Sequence, residues 1–329
     1  MDELTALREF RPLHELPSAT TVETARYALL RHISGRGARS RRLSWKLPAA
    51  VATVAAIVVA AVLLSGLAPT SGTEARAASG VLRQTAAVAA GREPVTLPPG
   101  AYAYSRSRGV HLVTTVIGGK AFNALVPSVR EIWIARDGSG RIRERSGKPV
   151  FLTAADRAAW LATGRPVIEK SGTADDRYGP GGLHFEDLSS LPTDPKRLAE
   201  TLRQRAALTD VPVDVETFVI VGDLLRETIG PPAVRAALYQ VAASLPGVQL
   251  VGRVTDPAGR AGIAVAMTSD YSGGLVRHEL VFDPRTSALL AERQVLLERV
   301  KWTGAPPGTV LGYTVYLRSG ASRSVLRPA

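Results

Sequence analysis

Five histidines are the residues best suited to catalysis or metal binding, and two of them stand beside acids. His184 lies two positions before Glu186, and His278 directly precedes Glu279. A zinc site or a general base would need partner residues at a fixed spacing, and no two histidines have ligand spacing on one element. We therefore interpret both pairs as ordinary surface or cross-strand contacts and assign no catalytic or metal-binding residue.

Other chemical motifs are incomplete. Residues 118–121 lack both the spacing and the Ser or Thr of a phosphate-binding loop, and no Gly-x-Ser-x-Gly motif occurs. Asp175 and Asp176 carry oxygen ligands, but without the regular acidic spacing of a calcium loop. The chain has no cysteine, which excludes disulfides, thiolate zinc sites and an acylated lipobox. We expect a protein that is not an enzyme and holds no cofactor.

Alternating arginines are the strongest charge pattern after residue 100. Arg141, Arg143 and Arg145 alternate along one predicted strand, and Arg106 and Arg108 do the same along another. Since side chains alternate across a strand, each set lies on one face of the sheet. Two interpretations remain open, a solvated basic face and an anion-binding surface.

A long apolar segment divides the chain. Residues 47–68 contain no charge and would form a helix roughly 33 Å long, enough to cross a bilayer. A buried core helix of this length would seldom lack any charge. The residues that set the topology are the basic ones just before the segment: Arg36, Arg39, Arg41, Arg42 and Lys46. The positive-inside rule therefore places Met1 in the cytoplasm and the chain after the segment outside.

A cleavable export signal is the alternative. Residues 40–46 look like a twin-arginine signal, and residues 75–77 look like a signal-peptidase site. The leader would be unusually long, however, and the apolar run exceeds a typical signal core. We predict a single-pass protein of the cell membrane whose domain boundaries are as follows: 1–46 cytoplasmic, 47–68 transmembrane, 69–100 linker and helix, 101–329 extracytoplasmic.

The charge distribution bears on partners. The net charge is +12; the first 46 residues carry nine Lys or Arg and five Asp or Glu, and the remainder carries 32 and 24. Both sides of the predicted membrane segment are therefore basic. Inside, the excess favours contact with anionic membrane lipid. Outside, nucleic acid is not expected, and the candidate partners are lipid headgroups or an anionic envelope polymer.

Residues 20–33 have the pattern of an amphipathic helix. Thr20 and Glu23 have capping-box spacing, and four apolar residues recur on one face: Val22, Ala25, Leu29 and Ile33. A helix this short is marginal alone in water, so its apolar face needs a partner. The residues leave three partners open: the preceding segment, the bilayer surface, or a cytoplasmic protein.

The region after residue 100 reads as strands, then helices, then strands. Helices are predicted to begin near Thr153, Asp194 and Pro231, and residues 171–182 read as a loop. The predicted strands are 101–108, 110–117, 129–136, 140–145, 248–255, 260–268, 275–282, 288–298 and 310–318. Hairpin-type turns connect the later strands. This order indicates an α+β domain, an antiparallel sheet with helices packed on one face.

Several short motifs form an ordered set along the chain: Met1-Asp2-Glu3-Leu4 and residues 133–138, 151–153, 191–195, 245–248 and 282–284. This set resembles a known family, the actinobacterial single-pass membrane proteins of unassigned biochemistry. The resemblance implies a gene beside an extracytoplasmic-function sigma factor. The outer domain is distantly similar to the lipoprotein-carrier and sigma-regulator sensor fold, which implies a curved sheet. No functional residue can be carried over, because the family has none assigned.

Two functions are expected from these features. The first is a membrane-anchored regulator or sensor whose cytoplasmic helix contacts a sigma factor or another cytoplasmic protein. The cytoplasmic part lacks the His and Cys motif of zinc-containing anti-sigma domains, which departs from that pattern. The second is a tethered extracytoplasmic module that binds lipid or an anionic polymer.

Overall fold

The structure is a computed structural model that describes residues 72–117, 120–169, 171–226, 229–270 and 273–326. The α-helices within these ranges are α1 (Gly72–Ala90), α2 (Ala154–Ala162), α3 (Pro195–Ala206), α4 (Val213–Arg226) and α5 (Pro232–Ser244). The strands are β1 (Tyr102–Ile117), β2 (Lys120–Ile134), β3 (Gly140–Ser146), β4 (Val150–Phe151), β5 (Gly172–Tyr178), β6 (Gln249–Thr255), β7 (Ala261–Asp270), β8 (Leu275–Phe282), β9 (Leu289–Leu296) and β10 (Val310–Ser322).

Capping residues determine where the helices begin. The Thr153 side chain accepts a hydrogen bond from the Asp156 N–H at 3.0 Å, and the Asp194 carboxylate accepts one from the Arg197 N–H at 2.9 Å. Proline begins α3 and α5, at positions where its missing N–H would have no helical partner. The predicted starts of these three helices are confirmed.

The strands form one antiparallel sheet. Its order is β5-β3-β2-β1-β10-β9-β8-β7-β6, and the two-residue β4 pairs with β2 beside this path. The pairing of β1 with β10 brings the first strand beside the last and joins the two halves of the sheet. The α+β class and the antiparallel sheet are therefore confirmed.

Helices α1, α3, α4 and α5 pack on one face of the sheet, over β6 to β9. Phe218 of α4, Tyr239 of α5 and Phe282 of β8 are buried in this interface. The rings of Tyr239 and Phe282 meet edge to face with centroids 5.6 Å apart. Each large apolar side chain buried here contributes about 1.5–3 kcal/mol. Bulky side chains thus fill the space between helices and sheet.

Helix α1 belongs to this core. Its residues Ala78, Leu82 and Ala86 are buried against α5, and the Ser79 hydroxyl donates to the Ala243 carbonyl at 2.6 Å. The first half of α1 therefore lies beside the end of α5. Val95, which follows α1, forms a bridge with Gly230, which precedes α5, so the two helices run antiparallel. Helix α1 therefore shares its core with the elements that follow residue 101.

The opposite face of the sheet has its own cover at one end. The turn between β6 and β7 folds over it, where the Arg260 guanidinium donates to the carbonyls of Tyr316 and Leu290, both at 2.9 Å. Arg108 of β1 donates to the Pro257 carbonyl of the same turn at 2.7 Å. The sheet therefore bends enough for its β6–β7 end to reach β1.

The predicted membrane segment, residues 47–68, lies outside the described residues. Among the helices that the structure does describe, none combines the length and the apolar character that crossing a bilayer requires.

Candidate anion-binding face

Three rows of paired residues cross the strands β5, β3, β2, β1 and β10. Directly paired residues of an antiparallel sheet point to the same side. The rows are Arg177–Arg141–Trp133–Tyr104–Gly320, Asp175–Arg143–Glu131–Arg106–Arg318 and Thr173–Arg145–Val129–Arg108–Val315. We call the surface formed by the seven arginines of these rows the arginine face.

The arginine face lies on the side of the sheet away from the helices. Arg108 pairs with Val315, Val315 pairs with Ala291, and Ala291 pairs with Val281. The neighbours of Val281 along β8 pack under the helices, so Val281 itself points the other way. All three rows therefore face away from the helix layer.

Charge on this face is unbalanced. Its rows contain seven arginines and only two carboxylates, Asp175 and Glu131, a net charge of +5. Six of the arginines are exposed, and Arg141 is the exception with 13% of its side chain accessible. Planar guanidinium groups bind phosphate and carboxylate through paired hydrogen bonds, so the chemistry of this surface is anion recognition.

Arg141 is held internally. Its Nε and Nη2 donate to the two carboxylate oxygens of Asp175 at 2.7 and 2.6 Å, and its Nη1 donates to the Val325 carbonyl at 2.7 Å. The guanidinium lies 5.4 Å from the Trp133 ring centroid. The hydrogen bonds from Arg141 lower the pKa of Asp175. Arg141 and Asp175 therefore satisfy each other at one edge of the arginine face.

Glu131 is also engaged within the protein. The Tyr104 hydroxyl donates to its carboxylate at 2.9 Å, and Arg143 lies 4.0 Å away. Burial, then the hydrogen bond to Glu131, raises the pKa of Tyr104 to about 12, while Arg106 and Arg318 act in the opposite direction. Both acids of the face are thus committed to neighbouring side chains.

Four arginines lack a carboxylate partner. Within the described part of the chain, none of them forms an ion pair: Arg106, Arg145, Arg177 and Arg318. Arg106 is paired directly with Arg318, and Arg141 with Arg177. Like charges directly opposite one another destabilise a sheet. A bound anion would offset this repulsion.

The structure brings together all five arginines that the sequence singled out, from two strands separated by β2. It adds two that the sequence reasoning missed. Arg177 belongs to the segment interpreted as a loop, which forms β5 instead. Arg318 reaches the face through a bulge: Tyr316 pairs with Ser107 but Arg318 pairs with Arg106, which leaves Leu317 as an extra residue.

The two histidines that stand beside acids in the sequence, His184 and His278, have different partners in the structure. His184 lies 3.1 Å from Glu186 in an exposed pair. His278 contacts the Ser269 hydroxyl at 3.1 Å, and burial lowers the pKa of its imidazole. The predicted contact of His278 with Glu279 does not form, because neighbours along a strand point to opposite faces. Glu279 pairs instead with the guanidinium groups of Arg277 and Arg293.

Within the ranges that the structure describes, no set of three or more His, Asp or Glu side chains could hold a metal ion. The topology-determining basic residues and the amphipathic face of residues 20–33 lie outside these ranges.

Comparison with known proteins assigns no family. No protein-family model matches the chain, and no similar sequence was found among curated proteins.

Proposed function

We propose that this protein is a membrane-tethered extracytoplasmic module that binds an anionic polymer through its arginine face. The observation that carries the proposal is the direct cross-strand pairing of Arg106 with Arg318, neither of which forms an ion pair within the described residues. Glu131 lies opposite Arg106 on the next strand, but Tyr104 and Arg143 engage its carboxylate. A fold that needed only a solvated surface would gain nothing from this repulsion. A polyanion that crosses the strands would neutralise it.

The size of the face favours a polymer over a single small anion. Adjacent strands lie about 4.8 Å apart, so five strands span roughly 19 Å. Alternate residues along one strand, such as Arg143 and Arg145, are about 6.7 Å apart. One phosphate would occupy only a small part of this surface, whereas a chain of repeated anionic groups could contact arginines along its whole width.

The position of the face favours a polymer over the membrane of the predicted anchor. The first half of α1, through which the chain enters the domain, lies beside the end of α5 and the start of β6. The arginine face lies at the opposite ends of the strands, next to the start of β1 and the end of β10. Helix α1 is roughly 28 Å long, which sets the scale of this separation.

Calorimetric titration of the full-length protein with polyphosphate tests the proposal. The double variant Arg106→Gln/Arg318→Gln is expected to bind at least tenfold more weakly, because two charge-assisted contacts are lost. A matched control, Arg197→Gln/Arg299→Gln, removes two exposed arginines elsewhere and is expected to bind like wild type.

Two outcomes would contradict this function. One is an equal loss of affinity in the control variant, which would show that binding depends on the net charge of the protein and not on the arginine face. The other is binding of anionic vesicles, but not of polyphosphate, in a manner that depends on Arg106 and Arg318. That result would assign the face to lipid headgroups.

A second function is supported by the sequence pattern of residues 20–33. The apolar face of Val22, Ala25, Leu29 and Ile33 needs a partner, and a sigma factor or another cytoplasmic protein is the partner we propose. The protein would then act as a regulator or sensor whose outer domain receives the signal. The two functions are compatible, since polymer binding outside could be the event that is sensed.

Affinity purification of the full-length protein tests this second function. A sigma factor is expected to co-purify with wild type and to be lost from Leu29→Glu, which places a charge on the apolar face. Arg26→Gln is the control. Co-purification that is equal in all three proteins would exclude the face, and failure to recover any sigma factor from wild type would exclude the regulator.

A further inference from the structure

An open groove of about 360 Å³ lies between α1, α3 and α5, on the outer side of the helix layer. Its volume is within the range of small-molecule sites in proteins. Three cationic side chains, Arg83, Lys196 and Arg203, line it together with Gln240 and Ser244, and small residues form its walls. Among the described residues that line the groove, none is acidic.

The polar groups of the groove can bind both an anion and hydroxyl groups. The Arg83 Nε–H donates to the Ser79 carbonyl at 3.3 Å, and the Arg203 Nη2 lies 3.6 Å from the Asp214 Oδ1. The Ser244 hydroxyl donates to the Val241 carbonyl at 2.8 Å, so its lone pairs can accept from a ligand. The Gln240 amide offers a donor and an acceptor.

We infer that this groove binds a phosphorylated polyol, with the phosphate on the three cations and the hydroxyls on Gln240 and Ser244. Three exposed cations that line one concave space favour a phosphate, which accepts several charge-assisted hydrogen bonds at once. An inorganic phosphate alone would leave much of the volume empty. Such an ester has two sources, a soluble sugar or glycerol phosphate and the headgroup of a lipid.

Calorimetric titration of the full-length protein in detergent tests the site, with inositol 1-phosphate and inorganic phosphate as probes. Inositol 1-phosphate is expected to bind more tightly than inorganic phosphate. Lys196→Gln/Arg203→Gln is expected to weaken its binding about tenfold or more. The matched control is Arg197→Gln, an exposed cation on the same helix that does not line the groove, and its affinity is expected to stay within about twofold of wild type.

A lipid arm distinguishes the two sources. The protein is reconstituted in bilayers that contain phosphatidylinositol and phosphatidylcholine, and retained lipid is identified by native mass spectrometry. Phosphatidylinositol retained by wild type but not by the double variant assigns the groove to a headgroup. Binding of the free ester without retained lipid assigns it to a soluble ligand.

Two results would overturn the inference. One is the absence of any binding of inositol 1-phosphate to wild type at concentrations on the order of 10 mM. The other is an equal loss of affinity in Arg197→Gln. The arginine-face variant Arg106→Gln/Arg318→Gln tests the two sites separately. It is expected to bind inositol 1-phosphate like wild type while its affinity for polyphosphate falls.

Discussion

Glu292 is a half-buried carboxyl between the sheet and α4. The Tyr316 hydroxyl donates to it at 2.6 Å. Burial raises the pKa of Glu292; Asp223 adds to this rise, while Arg226 and Tyr316 oppose it. Burial likewise raises the pKa of the Tyr316 hydroxyl well above its ordinary value. The fold therefore favours the neutral form of both groups.

Glu292→Gln tests the charge state of this carboxyl. The folded-state pKa lies above the unfolded-state pKa, so the stability contributed by Glu292 is full below the unfolded pKa and is lost as the pH rises through the folded pKa. The variant is expected to unfold with a free energy about 1 kcal/mol higher than wild type at pH 8, because no buried charge forms.

Urea denaturation at pH 4 and pH 8 checks this expectation. The free energy of unfolding of wild type, relative to that of Glu292→Gln, should decrease from pH 4 to pH 8. A variant that is several kilocalories per mole less stable than wild type at pH 8 would show instead that Glu292 is ionised and paired with Arg226.

Individual arginines of the candidate site could be predicted from alternation, but their mutual positions could not. Arg141, Arg143 and Arg145 share a face because a strand has period two. Their proximity to Arg106 depends on the register of β2 with β1 and β3, which no local pattern specifies. Alternation alone would also have put Arg318 on the side of Tyr316, and only the bulge at Leu317 reverses this.

At the scale of elements, α4 approaches the sheet closely because of one glycine. A Cβ on Gly222 would lie 2.8 Å from the Leu280 Cδ2 and 3.7 Å from the Glu292 carboxyl. Gly80 of α1 is the opposite case, since a Cβ there would have no atom within 4 Å. Substitution at Gly80 therefore measures helix propensity alone, whereas substitution at Gly222 also measures packing against the sheet.

Alanine at each glycine is expected to have opposite effects. Gly222→Ala should lower the free energy of unfolding by about 1–3 kcal/mol, because the buried Leu280 side chain must shift to make room for the added methyl group. Gly80→Ala should raise it by about 0.5–1 kcal/mol, because alanine is the better helix former on an exposed face. Chemical denaturation of both variants measures this, and stabilisation by Gly222→Ala would refute the close contact.

Helix caps and apolar alternation made most elements predictable, and the strand β5, which has neither signal, was missed. Thr153 and Asp194 are the cap residues that the sequence indicated, and the predicted strands of the later meander match β6 to β10 closely. The strand β5 escaped prediction because its residues, Gly172–Tyr178, are polar and mostly exposed. An edge strand without an apolar face carries no hydrophobic alternation.

At the scale of the whole molecule, the α+β class follows from the order of elements, while the sheet order does not. The pairing of β1 with β10 joins residues more than two hundred positions apart. The burial of α1 also depends on this global arrangement, since its small apolar residues find their partners on α5. Contacts so distant along the chain leave no local signature.

The predicted anchor is tested by fractionation. Since residues 47–68 are uncharged and long enough to cross a bilayer, the full-length protein is expected to remain with membranes after alkaline extraction. Replacing two of its central residues by charge, Val58→Arg/Val59→Arg, should release it. A soluble wild-type form that begins near Ala78 would instead identify residues 1–77 as a cleaved signal.

The salt dependence of polyphosphate binding tests most directly whether the unpaired arginines hold the polymer. Each ionic contact changes the slope of log affinity against log salt by about −0.7 for a single-stranded polyanion. Arg106→Gln/Arg318→Gln is therefore expected to make the slope shallower by roughly 1.4, and Arg197→Gln/Arg299→Gln is expected to keep the wild-type slope. An arginine-face variant with the wild-type slope, or a control that loses as much, would contradict the proposed function.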